Sequence, residues 1–191
     1  VVFEIYGLEA AKDMGLLAGL SVVAAFTIIY GSTRALYQVD LKRRLAFSTV
    51  SQVSYIVLGL CLFGPVGVAG GLVHLVHQGI MKITLFFCAG NYAETLGVHR
   101  IDELDGAGKR MPGTSVAFTL GAFGMIGAPP LAGFITKWTM GSGALAVGMD
   151  WVVAVLVISS LLNAAYFLPI LHRLWFAEQC EPWPHERRWG R

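Results

Sequence analysis

Four ionisable side chains lie inside long apolar stretches of this sequence, where charged groups are rare. His74, His77 and Lys82 share one stretch, and Lys137 follows a proline pair in another. A charged side chain at the bilayer centre costs about 2.5–3.5 kcal/mol on insertion scales, so such residues are functional candidates. An amine in a low-dielectric surrounding gives up its proton more readily than in water, and imidazole exchanges protons near neutral pH. These residue types therefore predict a proton relay.

Two stripes of polar side chains accompany these residues. The stretch with the histidines carries small residues, then His74, Gln78 and Lys82, at steps of three or four. Such spacing places side chains on one helix face, so two facing stripes predict a polar, water-holding channel lining. The alternative is that the second stripe only joins helices by hydrogen bonds, and close packing is the favoured role of the glycines. The second stripe, on the preceding stretch, consists of Ser48, Ser51, Gln52 and Tyr55.

The two lysines are expected to influence each other although they lie on different helices. At ~1.5 Å per residue, His77 lies about 16 Å and Lys82 about 24 Å from the outer end of their helix. The same count places Lys137 about 16 Å from the outer surface, too deep to reach a headgroup layer easily. Two like charges ~10 Å apart at an effective dielectric of 20 repel by roughly 1.7 kcal/mol. Protonation of one lysine should therefore help to discharge the other.

The elements that hold these residues are predicted to be transmembrane helices. Of 191 residues, 55% are hydrophobic and 14% charged, against roughly 25% charged in an average soluble domain. This composition argues against a soluble globule, a disordered chain and a nucleic-acid binder. Cys61, Cys88 and Cys180 form no paired framework, so no disulfide scaffold is predicted. The sequence opens at Val1 without a signal peptide and is interpreted as a piece of a longer membrane subunit.

The apolar stretches predict five spans in an all-α membrane protein. A bilayer needs ~20 apolar residues of helix, and four stretches qualify directly. A fifth region is too long for one straight helix and contains Gly127, Pro129 and Pro130, which predict a break near its middle. Two separate short spans are the alternative for that region. The prediction is a transmembrane domain over 1–176 and an interfacial tail over 177–191, with spans at about 14–37, 45–63, 66–92, 112–148 (broken) and 151–174.

The distribution of basic residues predicts the orientation. With the N-terminus outside, eleven lysines and arginines fall in inner loops and the tail, and Lys12 alone falls outside. The positive-inside rule expects this bias. We therefore predict a multi-pass protein of the cell (inner) membrane with a cytoplasmic C-terminus. The eleven are Arg34, Lys42, Arg43, Arg44, Arg100, Lys109, Arg110, Arg173, Arg187, Arg188 and Arg191.

Other site chemistries fit the sequence less well. Axial haem ligation needs two histidines at one depth, whereas His74 lies in an outer half and His172 at an inner end. A metal at His74 and His77 would need further ligands, which the predicted spans do not offer. No catalytic motif or phosphate loop is present, so we predict no catalytic residue, metal or cofactor in this chain.

Three passages combine the candidate residues with distinctive neighbours. They are Asp40 to Gln52 (DLKRRLAFSTVSQ), His74 to Lys82 (HLVHQGIMK) and Met125 to Trp138 (MIGAPPLAGFITKW). Together they resemble the proton-conducting antiporter family, which comprises Mrp-type cation/proton antiporters, antiporter-like subunits of respiratory complex I, and membrane-bound hydrogenases. The third passage is the most specific. The greatest likeness is to Mrp D-type subunits and their relatives.

The resemblance implies a fold and a role for each matching residue. By it, the five spans correspond to helices nine to thirteen of a fourteen-helix subunit, the second of two inverted repeats and thus its C-terminal half. Lys137 falls on the family's terminal lysine or glutamate, Lys82 on its third-span lysine, and His74 on a histidine of some members. The sequence departs from the pattern at Gln78, where many relatives have a second histidine, and His77 is shifted by one position.

The resemblance also implies the activity and the partners. It implies proton translocation coupled to sodium exchange or to redox chemistry in a partner subunit, as in an NADH:quinone oxidoreductase-type complex. The implied partners are the upstream half of the same subunit, other membrane subunits and protons, with sodium as a second candidate ion. Quinone, flavin and iron–sulfur groups are then expected in other subunits. The alternative is a structural assembly subunit whose buried lysines are packed and do not conduct.

Overall fold

The computed structural model describes residues 15–179 together with Trp183 and Pro184. Its regular elements are helices, with one short 3₁₀ turn at Ile101–Glu103. Met14, Cys180 and most of the predicted tail lie outside the described residues. In chain order the helices are α1 (Leu16–Leu36), α2 (Leu41–Leu60), α3 (Pro65–Leu96), α4 (Ala107–Arg110), α5 (Pro112–Ile126), α6 (Ala132–Ala146) and α7 (Asp150–Trp175).

Local capping explains where two of these helices begin and end. The Asp40 side chain accepts a hydrogen bond from the Arg43 amide at 2.9 Å, which caps α2 and starts it four residues before the predicted span. Helix α3 starts with Pro65 in its first turn, where a missing N–H costs nothing. It ends at Gly97, whose φ of +74° is readily adopted only by glycine. The helix therefore reaches 32 residues and extends beyond the predicted 66–92.

The helices form a closed ring in which α3 and α7 have the most neighbours. Helix α3 packs against α2, α5 and α6, and α7 packs against α1, α5 and α6, while α1 pairs with α2. Glycines allow the closest approaches. A Cβ atom at Gly59 would lie 2.7 Å from the Cα atom of Gly71, and one at Gly133 would overlap the carbonyl oxygen of Gly124. These contacts agree with the packing role favoured for the glycines.

Two separate apolar clusters fill the ring. One contains Tyr92, Phe118 and Phe167, near the ends of the helices that carry the loops 37–40 and 97–111. The other contains Ile28, Leu58 and Met140, near the opposite ends. Between them along the helices lies a group of buried polar residues around the two lysines and His74, which we call the polar belt. It consists of Ser48, Gln52, Tyr55, His74, Gln78, Lys82, Thr136, Lys137, Asn163 and the hydroxyl of Tyr166.

Among the residues that the structure describes, three helices are long and apolar enough to cross a membrane: Leu17–Leu36, Pro65–Leu96 and Asp150–Trp175. Helix α5 is apolar but shorter, and α2 begins with three basic residues and carries many hydroxyls. The region predicted as one broken span contains α5 and α6, joined by residues 127–131. This arrangement is consistent with a multi-pass membrane subunit. The count of five spans and the inverted repeat stay predictions.

The two loops at one end of the ring are paired. The Leu41 amide donates to the His99 carbonyl at 3.0 Å, and the Ile101 amide donates to the Val39 carbonyl at 3.0 Å. Arg44 donates to the carbonyl oxygens of Leu36, Gln38 and Tyr166, thereby joining α1 and α7 to the start of α2. These segments, with Arg173 and Trp183, form what we call the loop layer.

Candidate functional site

Lys137 lies at the helix break, and the prolines explain how it is held. In a continuous helix, the carbonyls of Met125 and Ile126 would accept from the amides four residues later. Those positions are Pro129 and Pro130, which have no N–H. The two free carbonyls accept instead from the Lys137 amine, at 3.1 Å and 2.9 Å. The break therefore supplies most of the binding site for the amine.

Two further groups complete the surroundings of Lys137. The Ser160 hydroxyl on α7 accepts from its amine at 3.0 Å. The Tyr55 ring of α2 faces the amine, with 5.5 Å between the nitrogen and the ring centroid. A groove of about 400 Å³ between α6 and α7 also reaches Lys137 and Ser160, and its walls are otherwise mostly apolar, including Phe134, Trp138 and Leu156. The amine is therefore buried, but it lies next to the groove between α6 and α7.

Lys82 is held differently, by the neighbouring continuous helix. Its amine donates to the Ser48 hydroxyl at 2.6 Å and to the Leu45 carbonyl at 3.3 Å, both on α2. Lys82 is 5% exposed. Within the described residues, the hydrogen bonds of both lysines go to neutral oxygens.

A chain of hydrogen bonds through α7 connects the two lysines. Ser48 lies 2.7 Å from the Tyr166 hydroxyl, which donates to the Asn163 side-chain oxygen at 2.8 Å. The Asn163 side-chain nitrogen donates to the Met125 carbonyl at 3.1 Å, and this carbonyl also accepts from Lys137. We call this path the α7 link.

His74 lies on the side of the polar belt away from the α7 link, between α2 and α6. Its Nδ1 atom lies 3.0 Å from the Thr136 hydroxyl, one residue before Lys137, and its Nε2 atom lies 3.2 Å from the Gln52 amide oxygen. The Tyr55 ring packs on the imidazole, with 5.2 Å between centroids. His74 on α3 therefore contacts both α2 and α6, next to the residue that precedes Lys137.

Three buried polar atoms near His74 lack a hydrogen-bond partner among the described residues. They are Gln52 Nε2, His77 Nδ1 and Gln78 Oε1. Buried polar atoms are normally satisfied by protein or by ordered water. An ordered water would supply the hydrogen-bond partners that these atoms lack.

The structure does not bring every predicted residue to the lysines. Ser51 turns toward α1, where it hydrogen-bonds Ser32 and the Ile28 carbonyl, as expected of a residue that joins helices. His77 is partly exposed and lies near His74 without a hydrogen bond through Nδ1. The other predicted relay and channel-lining residues lie in the polar belt, namely Lys82, Lys137, His74, Ser48, Gln52, Tyr55 and Gln78.

Sequence reasoning missed Asn163, Tyr166, Thr136 and Ser160. Asn163 had a usable signal, because an amide in the middle of a long apolar helix is costly to bury. Ser160 and Thr136 had none, since hydroxyls are common in membrane helices. Within residues 15–179, 183 and 184, no cluster of three or more histidine, cysteine or acidic side chains could hold a metal ion.

Comparisons with known proteins identify the family of this chain. The family described as "NADH:quinone oxidoreductase/Mrp antiporter, TM" matches residues 10–163. The chain is 42% identical over 163 residues to NADH-quinone oxidoreductase subunit N of Desulforudis audaxviator, covering 85% of this chain and 32% of that protein. It is 28% identical over 165 residues to F(420)H(2) dehydrogenase subunit N of Methanosarcina mazei, covering 82% of this chain and 34% of that protein.

Two solved structures share the fold. One is the Mrp complex from Dietzia sp. DQ12-45-1b, with a TM-score of 0.78 and 35% identity over 88% of this chain and 31% of the matched chain. The other is an archaeal membrane-bound sulfane sulfur reductase, with a TM-score of 0.81 and 32% identity over 88% of this chain and 36% of the matched chain. The chain spans about a third of the length of these relatives. It belongs to the NADH:quinone oxidoreductase/Mrp antiporter transmembrane family.

Proposed function

We propose that this chain is a proton-translocating segment of a multisubunit cation/proton antiporter or redox-driven proton pump. Protons move through a relay of Lys82, His74 and Lys137, with His77 as an outer neighbour. The names of the relatives support the general class. The relatives carry this membrane segment, and their names refer to NADH–quinone, F420H2 and sulfane sulfur chemistry. Because the redox substrates differ, the segment that the relatives share is suited to ion movement rather than to one redox substrate.

The observation that carries the proposal is the neutral surrounding of Lys137. Its amine is held by the Met125 and Ile126 carbonyls and by Ser160. A neutral oxygen can accept a hydrogen bond from an ammonium or from a neutral amine, so the lysine keeps its position in either protonation state. The described carboxylates lie in loops or at helix ends, and none of them fixes the charge of Lys137.

The transfer route that fits these contacts passes through His74. Imidazole can accept a proton at one ring nitrogen while releasing one from the other. His74 contacts the second turn of α6 through Thr136, and its other ring nitrogen hydrogen-bonds the Gln52 side chain on α2, which orients the ring and carries no proton itself. Water at the unpartnered atoms of Gln52 and Gln78 would extend this route toward Lys82.

The proposal is tested with Lys137→Ala in the full-length subunit within its assembled complex. We expect driven proton translocation to be lost while the complex still assembles, because the amine that takes and releases the proton is gone. Lys109→Ala, which removes an exposed lysine of the loop layer, is the matched control and should translocate normally. Normal translocation by Lys137→Ala would instead favour the alternative, a structural subunit with packed, non-conducting lysines. Measuring proton translocation with and without sodium decides whether sodium is the exchanged ion.

A further inference from the structure

The helix break fixes the direction of every hydrogen bond in the α7 link. The Met125 carbonyl can only accept, so the Asn163 side chain must turn its nitrogen toward it, at 3.1 Å. The Asn163 oxygen is then left facing the Tyr166 hydroxyl at 2.8 Å. This orientation follows from donor and acceptor chemistry alone.

The rest of the chain follows from that orientation. An amide oxygen only accepts, so Tyr166 donates its single hydroxyl proton to Asn163. Ser48, at 2.7 Å, must then donate to the phenol oxygen, and its own oxygen accepts from the Lys82 amine at 2.6 Å. All hydrogens therefore point from Lys82 toward Asn163.

An amide in this place interrupts proton transfer. A proton leaving Lys82 can pass to Ser48 while the Ser48 proton passes to Tyr166 and the Tyr166 proton passes to the Asn163 oxygen. The last step creates a cationic amide, which could only lose an N–H proton to the Met125 carbonyl, a very weak base. Lys137 also donates to that carbonyl, so it offers no lone pair to this side.

We propose that Asn163 is a positioning residue that insulates Lys82 from Lys137 along α7. It holds Tyr166 and the Met125 carbonyl in place while preventing a direct proton shortcut between the lysines. The inference rests on the proposed function and deepens it, because it leaves the His74 side of the polar belt as the route on which transfer can be controlled.

The test replaces the amide by an acid of the same shape, Asn163→Asp. One carboxylate oxygen takes the proton of Tyr166, which gives a neutral acid instead of a cationic amide. The other oxygen takes the place of the Asn163 nitrogen beside the Met125 carbonyl, and the acid releases its proton to the Lys137 amine once that amine turns its lone pair from the shared carbonyl toward the acid. The assembled complex with the full-length subunit is reconstituted into phospholipid vesicles with a pH-sensitive dye and no driving reaction. We expect a passive proton leak several-fold above that of the wild-type complex, with a pH profile that follows one titrating acid.

The control is the double variant Asn163→Asp/Tyr166→Phe, in which the hydroxyl that feeds the acid is removed. The leak should return to the wild-type level. The proposal that Asn163 insulates the lysines is overturned if the leak persists in the double variant. It is also overturned if the leak of Asn163→Asp equals that of the wild-type complex.

A second variant tests the idea without a new charge. Tyr166→Phe interrupts the α7 link but leaves the His74 side untouched, so driven translocation should stay within a few-fold of the wild-type rate. Loss of driven translocation in assembled Tyr166→Phe complexes would mean that the α7 link is itself the route, which overturns the insulator. That outcome is distinct from failure of the proposed function, which is read from Lys137→Ala.

Discussion

The polar belt and the two ion pairs of the loop layer hold their cations in opposite ways. In the loop layer, Arg173 donates to both carboxylate oxygens of Asp105, at 3.0 Å and 3.1 Å, and Arg100 pairs with Asp102 at 2.9 Å. In the polar belt, Lys82 and Lys137 donate to hydroxyl and carbonyl oxygens.

The difference separates a fixed charge from a changeable one. A carboxylate strongly favours the charged form of its partner, and arginine in any case keeps its proton. A hydroxyl or carbonyl oxygen binds a charged or a neutral amine, so a proton can leave without loss of position. The loop layer is therefore built to join segments of chain, whereas the belt is suited to changing its charge.

The largest expected effect comes from building a loop-layer type of pair inside the belt. Ser160→Asp places a carboxylate beside Lys137, and at about 4 Å and an effective dielectric of 20 the attraction is about 4 kcal/mol. This attraction should keep the proton on the amine and abolish driven translocation while the complex still assembles. Ser160→Asn, equal in size but neutral, should retain most of the activity. Wild-type translocation by Ser160→Asp would refute the contrast between the two regions.

A smaller effect is expected when a neutral acceptor is removed. Ser48→Ala takes away the nearest acceptor of Lys82, and a hydrogen bond to a charged group contributes about 1.5–3 kcal/mol. We expect the translocation rate to fall about tenfold, equivalent to about 1.4 kcal/mol, with recovery in Ser48→Thr. Ser51→Ala, one turn along α2 and bonded to α1, serves as the control and should alter stability without altering the rate. Equal rate losses in the two alanine variants would contradict a specific role for Ser48.

The smallest effect is expected in the loop layer. The hydrogen bond from Arg100 holds the pKa of Asp102 below its ordinary value of 3.8. Because the folded-state pKa is lowered, this contribution to stability is present above pH 3.8 and is lost as the pH falls through the lower folded value. Asp102→Asn should slightly lower the unfolding temperature near neutral pH and match the wild type in strong acid, with translocation unchanged. A pH-independent difference, measured by thermal unfolding across the acid range, would show that the pair does not act through this charge.

Much of the belt could be predicted from the sequence because its residues are costly in an apolar setting. Lys82, Lys137 and His74 stand out for that reason, and the prolines after Gly127 predicted where helix geometry would be interrupted. The structure places all of them in or beside the belt, and the relay itself stays a prediction.

Other features could not be predicted because they depend on which helices become neighbours. Ser51 faces α1 and Ser48 faces α7, although both are serines on α2. The rotation of the helix, and not the residue type, decides this difference. The α7 link joins residues more than a hundred positions apart, and the pairing of Val39 with Ile101 depends on two loops that meet only in the folded chain. Ser51 joins α2 to α1, whereas Ser48 and Gln52 hydrogen-bond Lys82 and His74, so the choice between helix joining and channel lining stays open for these two.

The paired prolines also determine which changes the site can tolerate. The carbonyls of Met125 and Ile126 are open to Lys137 because the helix ends at Gly127 and neither Pro129 nor Pro130 carries an N–H, so any other residue at either proline position would add a backbone donor next to the site. Such a replacement could match proline in size and polarity and still compete with the lysine for its oxygen. A protein engineer who screens these positions by volume or hydrophobicity would miss the property that matters, namely the inability to donate.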